Sequence, residues 1–310
     1  MNSQPEKNVG LRRPIHGEGH SSTQVDAFFW MRIHSPDLCK RSNPRLTPFV
    51  RYLRLYRAFV VNCLARAMEF RVQFFAGIFG YAIWTSVSLL FIQVVFGQVG
   101  AVRGWTRDEM WVLYGSFVVL ESFCYGVLGP NMWRFSDGVR DGTLDLALTK
   151  PVSAQFYVSV RFLDLNGCLN SLLGFALIFL GLSRLSHFPS PLDWLMWLVL
   201  LGCGFVMAYA IWFISVTFAI WAVKLEGIAV VFDPMMQMAR FPLQIYPARA
   251  LSFLTVVLPV AFLTTFPTLA LLGRGNIQML LGALGLASAF LALSHVFWKF
   301  ALRFYGSASS

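Results

Sequence analysis

"VQFFAGIFGYAIWTSVSLLFIQVVFGQVGAV", residues Val72 to Val102, contains no Asp, Glu, Lys or Arg. About 20 apolar residues in helical form cross the hydrocarbon of a bilayer, whereas a water-soluble core grows from short periodic stripes. Four more uncharged runs follow, at Leu165–Ser183, Trp194–Val223, Ala250–Gly273 and Gly275–Trp298. Of the 310 residues, 57% are hydrophobic and 13% charged, against about 25% charged in a soluble chain. Run length and composition both read as an all-α polytopic membrane protein. The net charge of +10 then fits positive-inside topology and contact with anionic membrane lipid, not nucleic acid.

Because the first apolar run opens near position 72, no cleavable secretory signal is expected ahead of it. Residues 1–45 are polar and basic, carry Arg12, Arg13, His16 and His20, and lack an apolar stripe. They read as a disordered cytoplasmic tail. His16, His20 and His34 match no standard metal-ligand spacing. The five cysteines, Cys39, Cys63, Cys124, Cys168 and Cys203, form no CxxC pair, so they are read as packing residues, with no disulfide framework or metal site.

Between the tail and the first span, residues 46–71 place Phe49, Leu53, Tyr56, Val60 and Leu64 on one helical stripe and Arg51, Arg54 and Arg57 opposite. This predicts a basic amphipathic helix lying in the membrane surface. The expected spans that follow are Gln73–Phe96, Glu109–Asn131, Phe156–Leu182, Trp194–Val223, a short fifth helix Gly227–Phe241, and Ile277–Phe304. Residues 242–274 hold Pro242, Pro247, Pro259 and Pro267, too many for one continuous helix. They are expected to form a re-entrant pair of half-helices covered by protein. Six crossings put both termini on one side. The heavier Arg and Lys flanks, from Arg51 through Lys150, Lys224 and Arg303, make that side cytoplasmic.

This topology places residues 132–155, with "VRDGTLDLALTKPVS" from Val139 to Ser153, in the cytoplasm. Asp141-Gly142 is a turn signal, Thr143 an N-cap candidate, and Asp145 a first-turn carboxylate. Lys150 precedes Pro151, which stops a helix. Leu144, Ala147 and Leu148 would share a helical face, although Leu144, Leu146 and Leu148 also alternate as in a strand. An apolar face beside charge suits a docking site for another protein; a loop tucked under its own helices accounts for it equally.

"DGVRDGTLDLALTKPVS" resembles the segment after the second transmembrane helix of permease subunits in the ABC type-2 transporter family. "ARFPLQIYP" followed by "LPVAFLTTFP" resembles the Pro-rich region between their last two helices, and "LRFYGSASS" the end of the subgroup that pairs with a separate ATPase. The resemblance runs from about Leu46 to the C-terminus. It implies an exporter of an amphipathic, drug-like or lipid-linked substrate in a bacterial-type inner membrane, working by alternating access. It also implies a second permease, identical or related, and two ATPase subunits that bind ATP and Mg. Asp137, Arg140, Gly142, Thr143, Leu144, Asp145, Leu148, Lys150 and Pro151 then belong to a coupling element seated on the ATPase, and 46–71 resembles the connecting or elbow helix. No GxxxxGK[ST] loop occurs in the chain, so hydrolysis is expected in the partner and no cofactor is expected here.

Ionisable groups inside a bilayer are costly and face protein or a cavity. Glu121, Asp233, Arg240 and His295 are therefore candidates for a substrate path or gate, with mutual pairing that fixes helix register as the competing role. Phe74, Phe75, Phe79, Trp84, Trp133, Trp212 and Trp221 could line a hydrophobic path or form lipid-facing belts. An ion-coupled secondary transporter would also use intramembrane acids, but no internal repeat is evident. A membrane-embedded enzyme lacks an HExxH or GxSxG signature.

Overall fold

The computed structural model describes residues 48–69, 71–185, 188–221 and 232–305. The tail 1–45, with its histidines, and residues 227–231 of the expected fifth helix lie outside the described residues. Two compact units divide the chain at Arg54/Leu55; in the first, residues 48–54 are the opening turns of α1, and the contacts below belong to the second. The helices are α1 (Pro48–Glu69), α2 (Arg71–Gln98), α3 (Arg107–Phe123), α4 (Gly129–Arg140), α5 (Thr143–Leu148), α6 (Ala154–Val160) and α7 (Leu165–Leu169). They continue with α8 (Ser171–Leu182), α9 (Pro191–Thr217), α10 (Phe232–Met238), α11 (Ala248–Val256), α12 (Phe266–Leu271) and α13 (Ile277–Leu302). Strands β1 (Ala101–Val102) and β2 (Trp105–Thr106) form a small hairpin between α2 and α3.

Five helical stretches are long and apolar enough to cross a membrane: Phe75–Gln98, Arg107–Arg140, Leu165–Leu182, Pro191–Ile220 and Ile277–Leu302. The chain is an all-α polytopic integral membrane protein. α3 starts from a complete capping box, in which Thr106 Oγ1 accepts from Glu109 N–H and Glu109 answers Thr106 N–H at 2.9 Å. A π-helical turn, Cys124–Leu128, joins α3 to α4, so this span runs past the expected Asn131 to Arg140. At 1.5 Å per residue its ends stand about 50 Å apart, which separates a hairpin end from an α5 end. Phe59 of α1 meets Tyr157 of α6 edge-on, so α1 belongs to the α5 end. Phe59 is buried, Tyr56 and Val60 of the expected stripe are half-buried, and Leu64 is exposed, so the stripe itself packs partly on protein.

The core is the α3–α8 contact, and glycine makes it. Gly167, Gly174 and Gly181 recur every seven residues on one side of α7–α8. A Cβ at Gly174 would lie 2.8 Å from Gly115 O and 2.7 Å from Val119 Cγ2. One at Gly181 would meet Val112 Cγ2 at 2.7 Å, and one at Gly167 would meet Gly126 Cα at 2.7 Å. Small residues let backbones approach in a membrane, where water expulsion does not drive helix pairing.

The expected third helix, Phe156–Leu182, is divided. α6 ends at Val160, the chain breaks over residues 161–164, and the apolar span starts at Leu165, where the uncharged run also starts. Buried Asn131 clamps the break: Oδ1 accepts from Phe162 N–H at 2.8 Å, and Nδ2 donates to Phe162 O at 2.7 Å and Val127 O at 2.8 Å. Asp164 caps α7 through Asn166 N–H at 3.0 Å. Broken backbone at membrane depth needs such protein partners.

Within the described residues the expected fifth helix is α10, which ends at Met238, three residues before the expected Phe241. Phe232 stacks on Trp212 at 3.9 Å, Arg240 approaches Glu121 at 3.6 Å, and Gln244 Oε1 accepts from Trp105 Nε1 at 3.2 Å. These contacts carry the chain up to the hairpin end. Arg274 returns to that same end, donating to Glu109 at 2.6 Å. Between them, α11 and the Ala261–Leu271 helix are bent by 74°. A Cβ at Gly204, midway along α9, would sit 2.8 Å from Phe262 O. Residues 242–274 therefore begin and end at one end of the molecule, with the bent pair of helices between. Thr264 and Thr265 satisfy its irregular backbone through Ala239 O at 2.6 Å and Leu243 N–H at 3.2 Å.

Candidate functional site

Within residues 137–153, α5 is a short helix with defined stops. Gly142, at φ +70°, is the N-cap residue, and Thr143 is the first residue inside α5. The sequence reading of Thr143 as the cap is corrected here: the Asp-Gly turn uses a left-handed residue, which glycine adopts without steric cost, and this takes the cap position. Asp145 stands in the first turn, Leu148 ends the helix, and Thr149 closes it ahead of Lys150 and Pro151. The helix, not the alternative strand, is the conformation adopted.

Leu144 and Ala147 are buried at 4% and 5% exposure, while Leu146 and Leu148 stand at 50% and 37%. The expected apolar face is thus split. Leu144 anchors α5 against its own protein and cannot also meet a partner; Leu146 and Leu148 form the outward apolar pair. Arg140 bridges Asp137 at 3.1 Å and Asp141 at 3.6 Å, an exposed cluster at the start of the element. Tyr305, beyond the last helix, lies beside Asp145. Burial, and then the Asp145 carboxylate, hold its phenol above the usual tyrosine range, so the neutral hydroxyl is retained there.

The intramembrane candidates separate into three places. Glu121 Oε1 faces Arg240 at 3.6 Å, and its Oε2 accepts from Tyr81 O–H at 2.7 Å. The Arg240 guanidinium also lies 5.6 Å from the Trp84 ring centre and 5.3 Å from that of Phe117. Charge, hydrogen bonding and ring faces together offset its desolvation. Asp233, two helical turns from Arg240, instead accepts from Tyr125 O–H at 2.9 Å. Tyr125 packs in an aromatic cluster with Trp133, Trp212 and Phe232. Trp212 is buried, whereas Phe75, Phe79, Trp84, Trp133 and Trp221 are exposed.

His295 lies apart from both groups, on α13, where its Nδ1 is 2.8 Å from Gln155 Oε1. Gln155 Nε2 donates to Tyr209 O–H at 3.2 Å, and Ser159 Oγ lies 3.0 Å from the same hydroxyl. The four side chains line a cavity of about 680 Å³, open on one side, between α6, α9 and α13. Gln155, Ser159 and Tyr209 are single polar residues in apolar surroundings. The only sequence sign was that Gln155 and Ser159 are four positions apart on one helix face.

Among the described residues no group of three or more His, Cys, Asp or Glu is placed to hold a metal. A search of curated proteins finds no match. Residues 82–309 match the family described as ABC-2 family transporter protein. That match takes in α3 through residues 242–274 and α13, the elements that carry every candidate site above. The chain belongs to the ABC-2 transporter family, as a permease-type membrane component of an ABC transporter.

Proposed function

We propose that this chain is the permease subunit of an ATP-driven exporter, with α5 as the seat of a separate ATPase. The observation that carries this reading is the division of α5 into a buried anchor, Leu144 and Ala147, and an outward pair, Leu146 and Leu148. A helix held on one side by its own protein and apolar on the other transmits a push from whatever covers it. The charge bias of the flanks supports a cytoplasmic position for this end, and hence an inner-membrane protein with both termini inside. The chain carries no phosphate loop, so ATP and Mg belong to the partner, which acts with a pair of permeases, this chain and an identical or related one.

Nucleotide-driven closure of two ATPases moves α5 and α6 together, and the Asn131 clamp passes that movement to α4 and α7. Amphipathic, drug-like or lipid-linked molecules are the substrate class that suits a transporter whose polar cavity opens among apolar helices. The re-entrant segment, tied to α3 through Arg274–Glu109 and Trp105–Gln244, serves as the outer closure. The test is ATP hydrolysis by the reconstituted complex. Leu146→Asp with Leu148→Asp is expected to abolish stimulation of the ATPase by the permease while the chain remains folded in the membrane. Undiminished stimulation would remove α5 from the coupling path.

A further inference from the structure

The polar cavity between α6, α9 and α13 has a chemistry of its own. Its hydrogen-bonding groups come from three helices and converge: Gln155 and Ser159 from α6, Tyr209 from α9, His295 from α13. Gln155 and Ser159 are 8% and 2% exposed, so these are buried groups in the cavity wall. The rest of the wall is mainly apolar, including Leu128, Phe156, Phe205 and Leu291, with two further hydroxyls, Ser153 and Ser288, of which Ser288 donates to Leu284 O in its own helix; no Asp, Glu, Lys or Arg lines it. A volume of about 680 Å³ lies within the roughly 300–1,000 Å³ of small-molecule sites.

The hydrogen-bond pattern states what the open side can accept. Gln155 Oε1 has no proton, so His295 Nδ1 is the donor in their 2.8 Å contact. In the neutral ring, Nε2 is then an acceptor. Gln155 Nε2 carries two protons and uses one on Tyr209. The cavity thus offers both an acceptor and a donor, with no fixed charge to select an anion or a cation.

His295 lies seven residues before the end of α13 and Gln155 at the start of α6. The polar groups therefore sit within about 10 Å of the α5 end of the span, with Phe205 and Leu291 of the wall farther from that end. Helix-to-helix hydrogen bonding alone would explain the contacts, but it would not require an open cavity with apolar walls beside them.

We propose that this cavity binds an uncharged amphiphile with a hydroxyl-bearing head, the head on Gln155, Tyr209 and His295 and an acyl or alkyl tail along Phe205 and Leu291. Calling that ligand a transport substrate rests on the exporter reading; its binding does not. The test uses the full-length chain in nanodiscs without nucleotide, and a fluorescent monoacylglycerol as probe. Lysophosphatidic acid and a long-chain alkylammonium serve as anionic and cationic competitors. Saturable binding is expected, with displacement by unlabelled monoacylglycerol at concentrations at least ten-fold lower than by either charged competitor.

Ala292→Trp places a large ring in the cavity from the exposed side of α13, leaving the buried packing in place, and is expected to weaken binding at least ten-fold. Gln155→Leu is expected to weaken it by a similar factor. Non-saturable uptake, equal displacement by all three heads, or unchanged binding in Ala292→Trp would each overturn the assignment. So would a photo-crosslinker at position 292 that captures a second copy of the chain and no lipid. Because no ATPase is present, failed coupling in the complex and failed binding here are separate results.

Discussion

Replacing Glu121 by Leu leaves Arg240 without its counter-charge at a site where its side chain is 14% exposed and that of Glu121 10%. At 3.6 Å and an effective dielectric constant of about 20, the Coulomb attraction is roughly 4–5 kcal/mol. This agrees with the roughly 3–5 kcal/mol lost when one partner of a buried pair is removed. Arg240→Leu is expected to cost about the same, since Glu121 would keep only the Tyr81 hydroxyl at 2.7 Å. The double variant removes both charges, and its main residual cost is the orphaned Tyr81 hydroxyl, about 1–3 kcal/mol. Adding Tyr81→Phe is expected to bring stability close to that of the parent. The assay is equilibrium unfolding in lipid micelles, read as a double-mutant cycle. Single variants that cost less than about 1 kcal/mol, or a double variant whose loss equals the sum of the singles, would refute the pairing argument.

Gly174→Ala places a Cβ 2.8 Å from Gly115 O and is expected to destabilise by about 1–3 kcal/mol through overpacking. Gly202→Ala, with nothing within 4 Å, is expected to be neutral or to stabilise by about 0.5–1 kcal/mol; thermal melts of the two variants check the contrast. Gly142→Ala, at φ +70°, is expected to cost about 1–2 kcal/mol and to lower ATPase stimulation without detaching the chain from the membrane. Leu144→Asp is expected to impair folding and Leu146→Asp to leave the melting temperature within about 2 °C, because only the former is buried.

The class of the molecule and its order of spans were legible because uncharged runs are a direct consequence of hydrocarbon solvation. The third span was expected to be continuous from Phe156, although Arg161 and Asp164 interrupt that stretch and the uncharged run opens only at Leu165, where α7 starts. The helix break itself depends on Asn131, thirty-one residues away in sequence from Phe162, and no local pattern announces such a clamp. The seven-residue spacing of Gly167, Gly174 and Gly181 is present in the sequence, but it gained its meaning only from the packing of α3 on α8.

Among the candidate residues, charge marked Glu121, Asp233, Arg240 and His295, but not their partners. Asp233 and Arg240 share a segment and yet bind different neighbours, because the approach of α3 sets the pairing. Gln155, Ser159 and Tyr209 carry no charge and gain meaning only where three helices meet. In α5 the leucines were visible, but which of them face inward is decided by packing on α4 and α6.

The central claim, that α5 receives the ATPase, is tested most directly by cysteine crosslinking in the assembled complex. Cysteines at Leu146 and Leu148, and at Gln278 near the hairpin end, would each be introduced singly after replacing the native cysteines. A thiol crosslinker would then be applied to complexes containing an ATPase with a GxxxxGK[ST] loop. The account predicts permease–ATPase adducts from positions 146 and 148, changing in yield with ATP, and none from 278. Adducts from 278, or none from 146 and 148 in a complex that still hydrolyses ATP, would contradict it.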